Sequence, residues 1–132
     1  MKVLVDTNVL LDVALEREPH VEASAEVFDA LEAGTAKGLV TSHSLATFYY
    51  LLKAPEPVDM IRDLLGFLEI APLDTASMRS ATELRMKDFE DAMQAMAALA
   101  SRCTAIVTRN VKDFRNAPVR AVAPAAWLKE LP

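Results

Sequence analysis

The 132-residue chain contains few of the residues that mark several common classes of protein. Its single cysteine, Cys103, cannot form an internal disulfide, which favours a reducing, cytoplasmic compartment and a role as a small core residue. Only three glycines occur, beside abundant alanine, and this composition disfavours a turn-rich all-β fold. No signal peptide is indicated, because Asp6 interrupts the first apolar run too early. The longest stretch without a charged residue, between Lys37 and Lys53, is shorter than the ~20 apolar residues that span a membrane.

Positive charge is also scarce relative to negative charge, and the net charge is −5. A negative net charge argues against binding of nucleic acid through overall electrostatic attraction. The charges are distributed unevenly, however. The segment from Arg102 to Arg120 contains a single acid, Asp113, among several basic residues, so it is basic within an acidic protein. An acidic cluster that meets phosphate needs a metal ion between them. With 52% apolar and 25% charged residues, the chain is expected to form one compact domain over residues 1–132.

The stretch with the clearest functional signal is residues 3–8. Val3, Leu4 and Val5 form an uninterrupted apolar run, which predicts a central parallel strand covered on both faces. Asp6 follows directly and would stand at the carboxyl end of that strand, where open α/β sheets bind ligands. Asp6 also suits the N-cap of a following helix, and this stretch alone supports both interpretations equally.

Segments typical of strands and of helices alternate along the rest of the chain. Short β-prone runs predict strands at 3–5, 38–41, 70–73, 104–108 and 119–122. Helical periodicity and capping residues predict helices that begin near Val9, Pro19, Ser42 or Ser44, Val58, Asp74 or Thr75, Asp88 and Pro124, with a break at 54–57 and a helix from Val58 to Leu68. The alternation predicts an α/β fold in three layers, a parallel sheet of four to five strands flanked by helices.

Acidic or amide side chains occur at four places where the carboxyl edge of the sheet is expected: Asp6, Asp88 with Asp91, Asn110 and Asp113. Mg²⁺ and Mn²⁺ take oxygen ligands and keep several waters, so a few carboxylates suffice to bind them. Each place also has a structural interpretation. Asp88 suits a helix N-cap, and Asn110 and Asp113 suit a turn after a strand. Asp91 is followed by the small residues Ala92 and Ala95, and its side chain is expected to face an open cleft.

The third predicted helix carries three adjacent aromatic residues, Phe48, Tyr49 and Tyr50. Helical periodicity places Phe48 and Tyr49 on one face with Leu45 and Leu52, so at least one tyrosine is expected to pack in the core. Tyr50 is in a position to stack on a nucleic-acid base.

Three blocks of this sequence resemble the PIN domain, the ribonuclease fold of VapC-type toxins. They are Val-Asp-Thr-Asn-Val-Leu-Leu-Asp at 5–12, Phe-Glu-Asp-Ala-Met-Gln at 89–94 and Ile-Val-Thr-Arg-Asn-Val-Lys-Asp-Phe at 106–114. The resemblance implies an endoribonuclease that uses Mg²⁺ or Mn²⁺ to hydrolyse RNA phosphodiester bonds and acts as the toxin of a toxin–antitoxin pair. It also implies a homodimer with a cognate antitoxin protein as its partner.

The resemblance assigns roles to individual residues. The metal-binding and catalytic acids would be Asp6, Asp91 and Asp113. The supporting groups around the metal would be Thr7, Asn8, Thr47, Thr108 and Asn110. The basic residues expected to contact RNA are Arg109, Lys112 and Arg115.

Two positions depart from the family pattern. Thr47 stands where the family usually has an acid in its third helix, and Asn110 replaces the final acid, with Asp113 one helical turn further on. These departures keep a second hypothesis open, a degenerate PIN domain that binds RNA or protein with weak or no catalysis. A third hypothesis is a phosphotransfer domain in which Asp6 accepts phosphate. It is disfavoured, because haloacid-dehalogenase-like phosphatases carry an acid at the position of Asn8.

Overall fold

A computed structural model, which describes residues 1–53 and 55–132, contains a five-stranded parallel sheet with α-helices on both faces. The strands are β1 (Lys2–Val5), β2 (Lys37–Val40), β3 (Leu68–Ile70), β4 (Ala105–Val107) and β5 (Ala121–Val122). Their order across the sheet is β3-β2-β1-β4-β5, with parallel neighbours throughout. The predicted α/β architecture is therefore confirmed.

The helices of the described residues follow most of the predicted segments. They are α1 (Thr7–Ala14), α2 (Val21–Glu32), α3 (Ser42–Leu51), α4 (Pro57–Leu64), α5 (Thr75–Glu83), α6 (Phe89–Ala100) and α7 (Pro124–Leu128), with a 3₁₀ turn at Val111–Phe114. Gly34, at φ 80°, lies just past the end of α2, where glycine adopts the left-handed conformation without steric cost. Helix α4 is shorter than predicted, so Leu68 opens β3 instead of ending a helix. The predicted break at 54–57 includes Ala54, which lies outside the described residues, and Pro57 is the first residue of α4.

Three other helix starts also differ from the predictions, and the first is that of α1, which begins at Thr7 and not near Val9. Thr41, not Ser42 or Ser44, caps α3, because its backbone is extended and its Oγ1 accepts a hydrogen bond from the Ser44 amide at 3.2 Å. Helix α2 starts at Val21, since Pro19 lies in the preceding turn. Thr41 directly follows β2, so the start of α3 lies at the carboxyl edge of the sheet.

Strand β1 is the centre of the sheet and of the core. Its residues Val3, Leu4 and Val5 are fully buried. Side chains alternate along a strand, so Leu4 packs against α6 at Ala95, whereas Val3 and Val5 pack in the layer that contains α1 and α2. Coverage on both faces accounts for the uninterrupted apolar run, and it gives Asp6, the next residue, a rigid base.

The tyrosines of α3 correct one prediction. Tyr49 and Tyr50 are 43% and 79% exposed, so neither packs in the core. Their rings contact each other edge to face instead, with centroids 5.3 Å apart. The buried face of α3 consists of Ser44, Leu45 and Phe48, and it includes neither tyrosine.

Cys103 is a buried core residue, as predicted. Burial raises the pKa of its thiol to about 11, so the thiol stays protonated at neutral pH and packs as a small apolar group. Among the helices formed by residues 1–53 and 55–132, none has the length and apolar character needed to cross a lipid bilayer.

Candidate functional site

The carboxyl end of β1 delivers Asp6 into a buried polar pocket, where it is only 2% exposed. Although Asp6 occupies the N-cap position of α1, its carboxylate makes no capping hydrogen bond. Oδ1 instead accepts a hydrogen bond from Gln94 Nε2 at 2.7 Å, and Oδ2 accepts one from Thr108 Oγ1 at 2.8 Å. Of the two interpretations of Asp6, the structure therefore excludes the capping carboxylate and leaves a carboxylate held at the sheet edge.

Gln94, on α6, links the first two predicted acids. Its Nε2 lies 2.7 Å from Asp6 Oδ1 and 3.5 Å from Asp91 Oδ1, so one amide group donates toward both carboxylates. Gln94 is nearly fully buried, which makes its hydrogen bonds obligatory. Sequence reasoning missed this residue. The available signal was an uncharged polar side chain in an alanine-rich helix, one turn after Asp91.

Asp91 is the acid most strongly affected by its surroundings. Burial, as the largest cause, and the negative charges of four neighbouring acids together raise the pKa of its carboxyl group to about 7. The acids contribute in the order Asp6, Asp88, Asp113 and Glu90. Crowded carboxylates repel one another, so in the metal-free protein Asp91 is about half protonated at neutral pH.

The first turn of α6 borders the site. Asp88 caps this helix, as predicted, because its Oδ1 accepts a hydrogen bond from the Asp91 amide at 3.1 Å. His43, in the first turn of α3, lies near these acids. Partial burial lowers the pKa of His43 below its usual value, although the charge of Glu90 opposes this. His43 is therefore mostly neutral at neutral pH and does not offset the negative charge of the site.

Hydroxyl groups connect Gln94 to α1 and α3. Ser44 Oγ donates to Gln94 Oε1 at 3.5 Å and lies 2.6 Å from Thr7 Oγ1 and 2.9 Å from Thr41 Oγ1. Because Oε1 accepts the Ser44 hydrogen, the donor end of the amide must face the carboxylates. Thr7 was among the predicted supporting residues, whereas Ser44 and Thr41 were not.

Two of the other predicted supporting residues join this network. Thr108 Oγ1 donates to Asp6 and accepts a hydrogen bond from the Asn110 amide at 3.0 Å. Asn8 and Thr47 are partly buried, and their side chains make no hydrogen bond within the part of the chain that the structure describes. Asn110 contributes through its backbone, so its side chain remains available to a ligand.

Asp113 lies at the rim of the site, exposed in the 3₁₀ turn. It is close enough to raise the pKa of Asp91. Across residues 1–53 and 55–132, however, no three His, Cys, Asp or Glu side chains are grouped closely enough to hold one ion. The structure thus joins Asp6 and Asp91 through Gln94 and places Asp113 outside this pair.

A second buried carboxylate, Asp12 on α1, was not singled out by sequence reasoning. Asp12 is fully buried, its Oδ2 accepts a hydrogen bond from Arg109 Nε at 2.8 Å, and its Oδ1 lies 3.8 Å from Arg17 Nη1. Arg109 was predicted to contact RNA, and the structure pairs its Nε with Asp12 instead of leaving the whole guanidinium free. The two residues are 97 positions apart, so no local sequence pattern indicates that they pair.

Lys112 and Arg115, the other predicted RNA contacts, are exposed beside Asp113. They line a polar cleft together with Arg85 and Lys87, which sequence reasoning did not single out. The structure therefore separates the predicted basic residues into one that is paired internally and two that face solvent.

Known proteins resemble this chain over most of its length. A family model described as PIN domain matches residues 2–112. Ribonuclease VapC1 of Aquifex aeolicus is 30% identical over 129 residues, which cover 92% of this chain and 89% of that protein.

Two solved structures share the fold. VapBC2 from Rickettsia felis, bound to a DNA fragment from its promoter, matches with a TM-score of 0.72 and 20% identity, over 93% of this chain and 98% of that chain. A toxin–antitoxin complex from Klebsiella pneumoniae matches with a TM-score of 0.68 and 24% identity, over 92% and 97% of the two chains. At these identities the likeness establishes the fold.

Proposed function

The chain belongs to the PIN domain family and is related to VapC ribonuclease toxins, and from this premise we propose that it is a metal-dependent endoribonuclease. The proposed reaction is hydrolysis of RNA phosphodiester bonds. The observation that carries the proposal is the meeting of Asp6 and Asp91 around the Gln94 amide. Neither carboxylate forms an ion pair with any described residue, so the site has a surplus of negative charge.

The acids fit a hard divalent cation, Mg²⁺ or Mn²⁺. Such a cation keeps several waters and needs only one or two carboxylates from the protein, which Asp6 and Asp91 supply. Asp113 would complete the set from the rim. The raised pKa of Asp91 supports this fit, because the charges that raise it have no compensating cation in the described chain.

The chain's own groups prepare the site for this chemistry. Thr108 and Gln94 each donate to one oxygen of Asp6, so its carboxylate is oriented before a ligand arrives. Asp91 holds a proton on its carboxyl group near neutral pH and releases it when it becomes a ligand. The bound cation would supply Lewis acidity at the phosphate and lower the pKa of a water molecule.

RNA cleavage tests the proposal. We expect cleavage with Mg²⁺ or Mn²⁺, and we expect chelation, Asp6→Asn or Asp91→Asn to abolish it. Glu90→Gln is a matched control, because it removes one exposed negative charge from the same turn of α6. Cleavage that persists after chelation, or in both aspartate variants, contradicts the proposal.

A second candidate function is a binding module with little or no catalysis, and Thr47 is the residue that favours it. Thr47 occupies the family's usual acid position, and a neutral hydroxyl is a weaker ligand than a carboxylate. Titration calorimetry separates the two candidates. Absence of Mg²⁺ and Mn²⁺ binding together with retained RNA binding would favour the module over the enzyme.

We also propose that an antitoxin protein binds this chain, as in the toxin–antitoxin complexes that share its fold. A largely apolar groove of about 250 Å³ between α1, α2, α3 and α4 would receive its apolar side chains. The groove includes Phe28, Phe48, Met60 and Leu64, with Asp63 as its charged lining residue. Met60→Lys is expected to abolish co-purification with a co-expressed antitoxin from the neighbouring reading frame, without loss of RNA cleavage.

We further propose a homodimer that acts in the cytoplasm. Tyr49, Tyr50 and Leu51 are consecutive exposed apolar side chains, and exposed apolar patches mark protein interfaces. The proposed occupant of this patch is a second copy of the chain. Sedimentation analysis is expected to show a dimer that Tyr50→Glu converts to a monomer, and a wild-type monomer at all concentrations contradicts the assignment.

A further inference from the structure

Four basic side chains gather in a cleft beside the acid site. The cleft, of about 360 Å³, lies between the α5–α6 connection and the 3₁₀ turn at Val111–Phe114. Its charged lining residues are Arg85, Lys87, Lys112, Asp113 and Arg115. Four positive charges therefore face a single carboxylate in a protein whose net charge is −5.

These four cations have no acidic partner within residues 1–53 and 55–132. Some exposed basic residues elsewhere in the described chain have one, namely Lys37, Arg62 and Arg120, whereas others, such as Arg79 and Lys129, do not, so the cleft is distinguished by four unpaired cations that lie together. Acids outnumber bases in this chain, so the missing pairs do not reflect a shortage of carboxylates. The cleft is therefore a concentration of positive charge that is left open to an anion.

The two walls of the cleft are fixed relative to each other. Asn116 Nδ2 donates a hydrogen bond to the Arg85 carbonyl at 2.6 Å. Met86 and Phe114, one from each wall, pack in the same apolar cluster. The backbone that carries the four cations is therefore arranged before a ligand arrives, which lowers the entropy lost on binding.

The cleft borders the acid site. Asp113 lines the cleft, and the 3₁₀ turn that carries it packs against α6, the helix of Asp91. Lys87 directly precedes Asp88, the cap of the helix that carries Asp91. A chain of phosphates with one member at Asp6 and Asp91 would thus have its next members within reach of the cations.

We propose that this cleft binds the backbone phosphates of the RNA strand on one side of the cleaved bond. The inference rests on the proposed ribonuclease function and deepens it, since it assigns Arg85 and Lys87, with Lys112 and Arg115, to the substrate-binding surface. Contacts to phosphates carry no base information, so the cleft contributes affinity and strand direction without sequence preference.

Salt-dependent binding of single-stranded oligouridine tests the proposal, in an Asp6→Asn background that prevents cleavage. Two double variants remove the charge from each wall, Arg85→Gln with Lys87→Gln and Lys112→Gln with Arg115→Gln. Each lost phosphate contact is expected to reduce the slope of log affinity against log salt by about 0.7. The matched control is Arg79→Gln with Lys129→Gln, exposed residues outside the cleft, which makes the same change in net charge and is expected to leave the slope unchanged.

Equal slopes for the cleft variants and the control would overturn the proposal. So would competition by polyglutamate as effective as that by RNA, because it would assign the cleft to acidic peptides. Thermal unfolding of each variant checks that the exposed substitutions leave the fold intact. The binding readout is independent of catalysis, so a protein that binds RNA through the cleft but does not cleave it would contradict the ribonuclease function alone.

Discussion

Asp6 and Asp12 are two buried carboxylates near opposite ends of the same short helix, and they differ in the charge of their partners. Asp12 faces two guanidinium groups, Arg109 at 2.8 Å and Arg17 at 3.8 Å. Asp6 receives its hydrogen bonds from a neutral amide and a neutral hydroxyl, and another acid, Asp91, shares the amide.

The difference teaches how to separate a structural acid from a functional one. A buried charge is destabilising by several kcal/mol unless it is compensated. At Asp12 the chain supplies the compensating charge itself, so the pair is closed to outside ligands. At Asp6 the chain supplies orientation without positive charge, so compensation has to come from a ligand. Burial is the same at the two sites, and the balance of charge distinguishes them.

Removal of Arg109 is the change expected to have the largest effect. Arg109→Met leaves Asp12 buried beside the more distant Arg17, and we expect the free energy of unfolding to fall by about 3 kcal/mol. Urea denaturation measures this loss. The double variant Asp12→Leu with Arg109→Met removes the stranded charge and is expected to recover part of the stability. A loss below about 1 kcal/mol for Arg109→Met would show that the pair is not structural.

Removal of the charge at Asp6 is expected to have the opposite result, a large loss of activity without a loss of stability. Asp6→Asn keeps the shape, can still accept a hydrogen bond from Gln94 and removes an uncompensated buried charge, so the stability of the metal-free protein should not fall. RNA cleavage should fall by at least about 100-fold, because a proposed metal ligand is lost. Asp12→Asn, measured beside it, should reduce stability more than activity per folded molecule. Equal effects of the two variants on stability would contradict the distinction between a structural Asp12 and a functional Asp6.

Removal of the neutral groups that position Asp6 is expected to have an effect of intermediate size, on metal affinity. Gln94→Leu keeps most of the side-chain volume but removes the amide, and Mg²⁺ affinity by calorimetry should fall by about 10- to 100-fold. Ser44→Ala should lower the affinity less, because Ser44 acts only by orienting that amide. In the Gln94→Leu background, Ser44→Ala should have no further effect. Additive effects of the two substitutions would argue for a general packing role instead.

The pH dependence of the acid site is the smallest expected effect, because Asp91 is partly exposed and solvent screens its charge. The folded-state pKa of Asp91 is raised from 3.8 to about 7, so the native protein holds this proton more tightly than the unfolded chain. Stability from this group is therefore present below pH 4 and is lost as pH rises to about 7.

Urea midpoints of the metal-free protein across this range measure the loss, and Asp91→Asn should remove it. Mg²⁺ affinity should change in the opposite direction, rising with pH up to about 7 as the Asp91 proton leaves. A flat stability profile that Asp91→Asn does not alter would show that the acids around Asp91 are not electrostatically coupled.

The fold was predictable because its signals are local. The uninterrupted run Val3–Val5 indicated a central strand covered on both faces, and Asp88 before an alanine-rich helix indicated its cap. The hydrogen-bond partners of the site residues, in contrast, lie far apart in the sequence. Gln94 carries no charge and gives no signal for its contact with Asp6, 88 positions away. Tyr49 fitted the apolar period of α3, but tertiary packing placed it outside the core.

The position of β1 between β2 and β4 has a consequence for how the protein is made. Gln94 and Thr108, which hold the two oxygens of Asp6, are synthesised 88 and 102 positions after it. At a synthesis rate of about 5 to 20 residues per second, several seconds pass between the synthesis of Asp6 and that of these partners. A nascent chain that has not yet reached Thr108 therefore lacks the fully oriented carboxylate, and the protein acquires its site only after these later residues have been made.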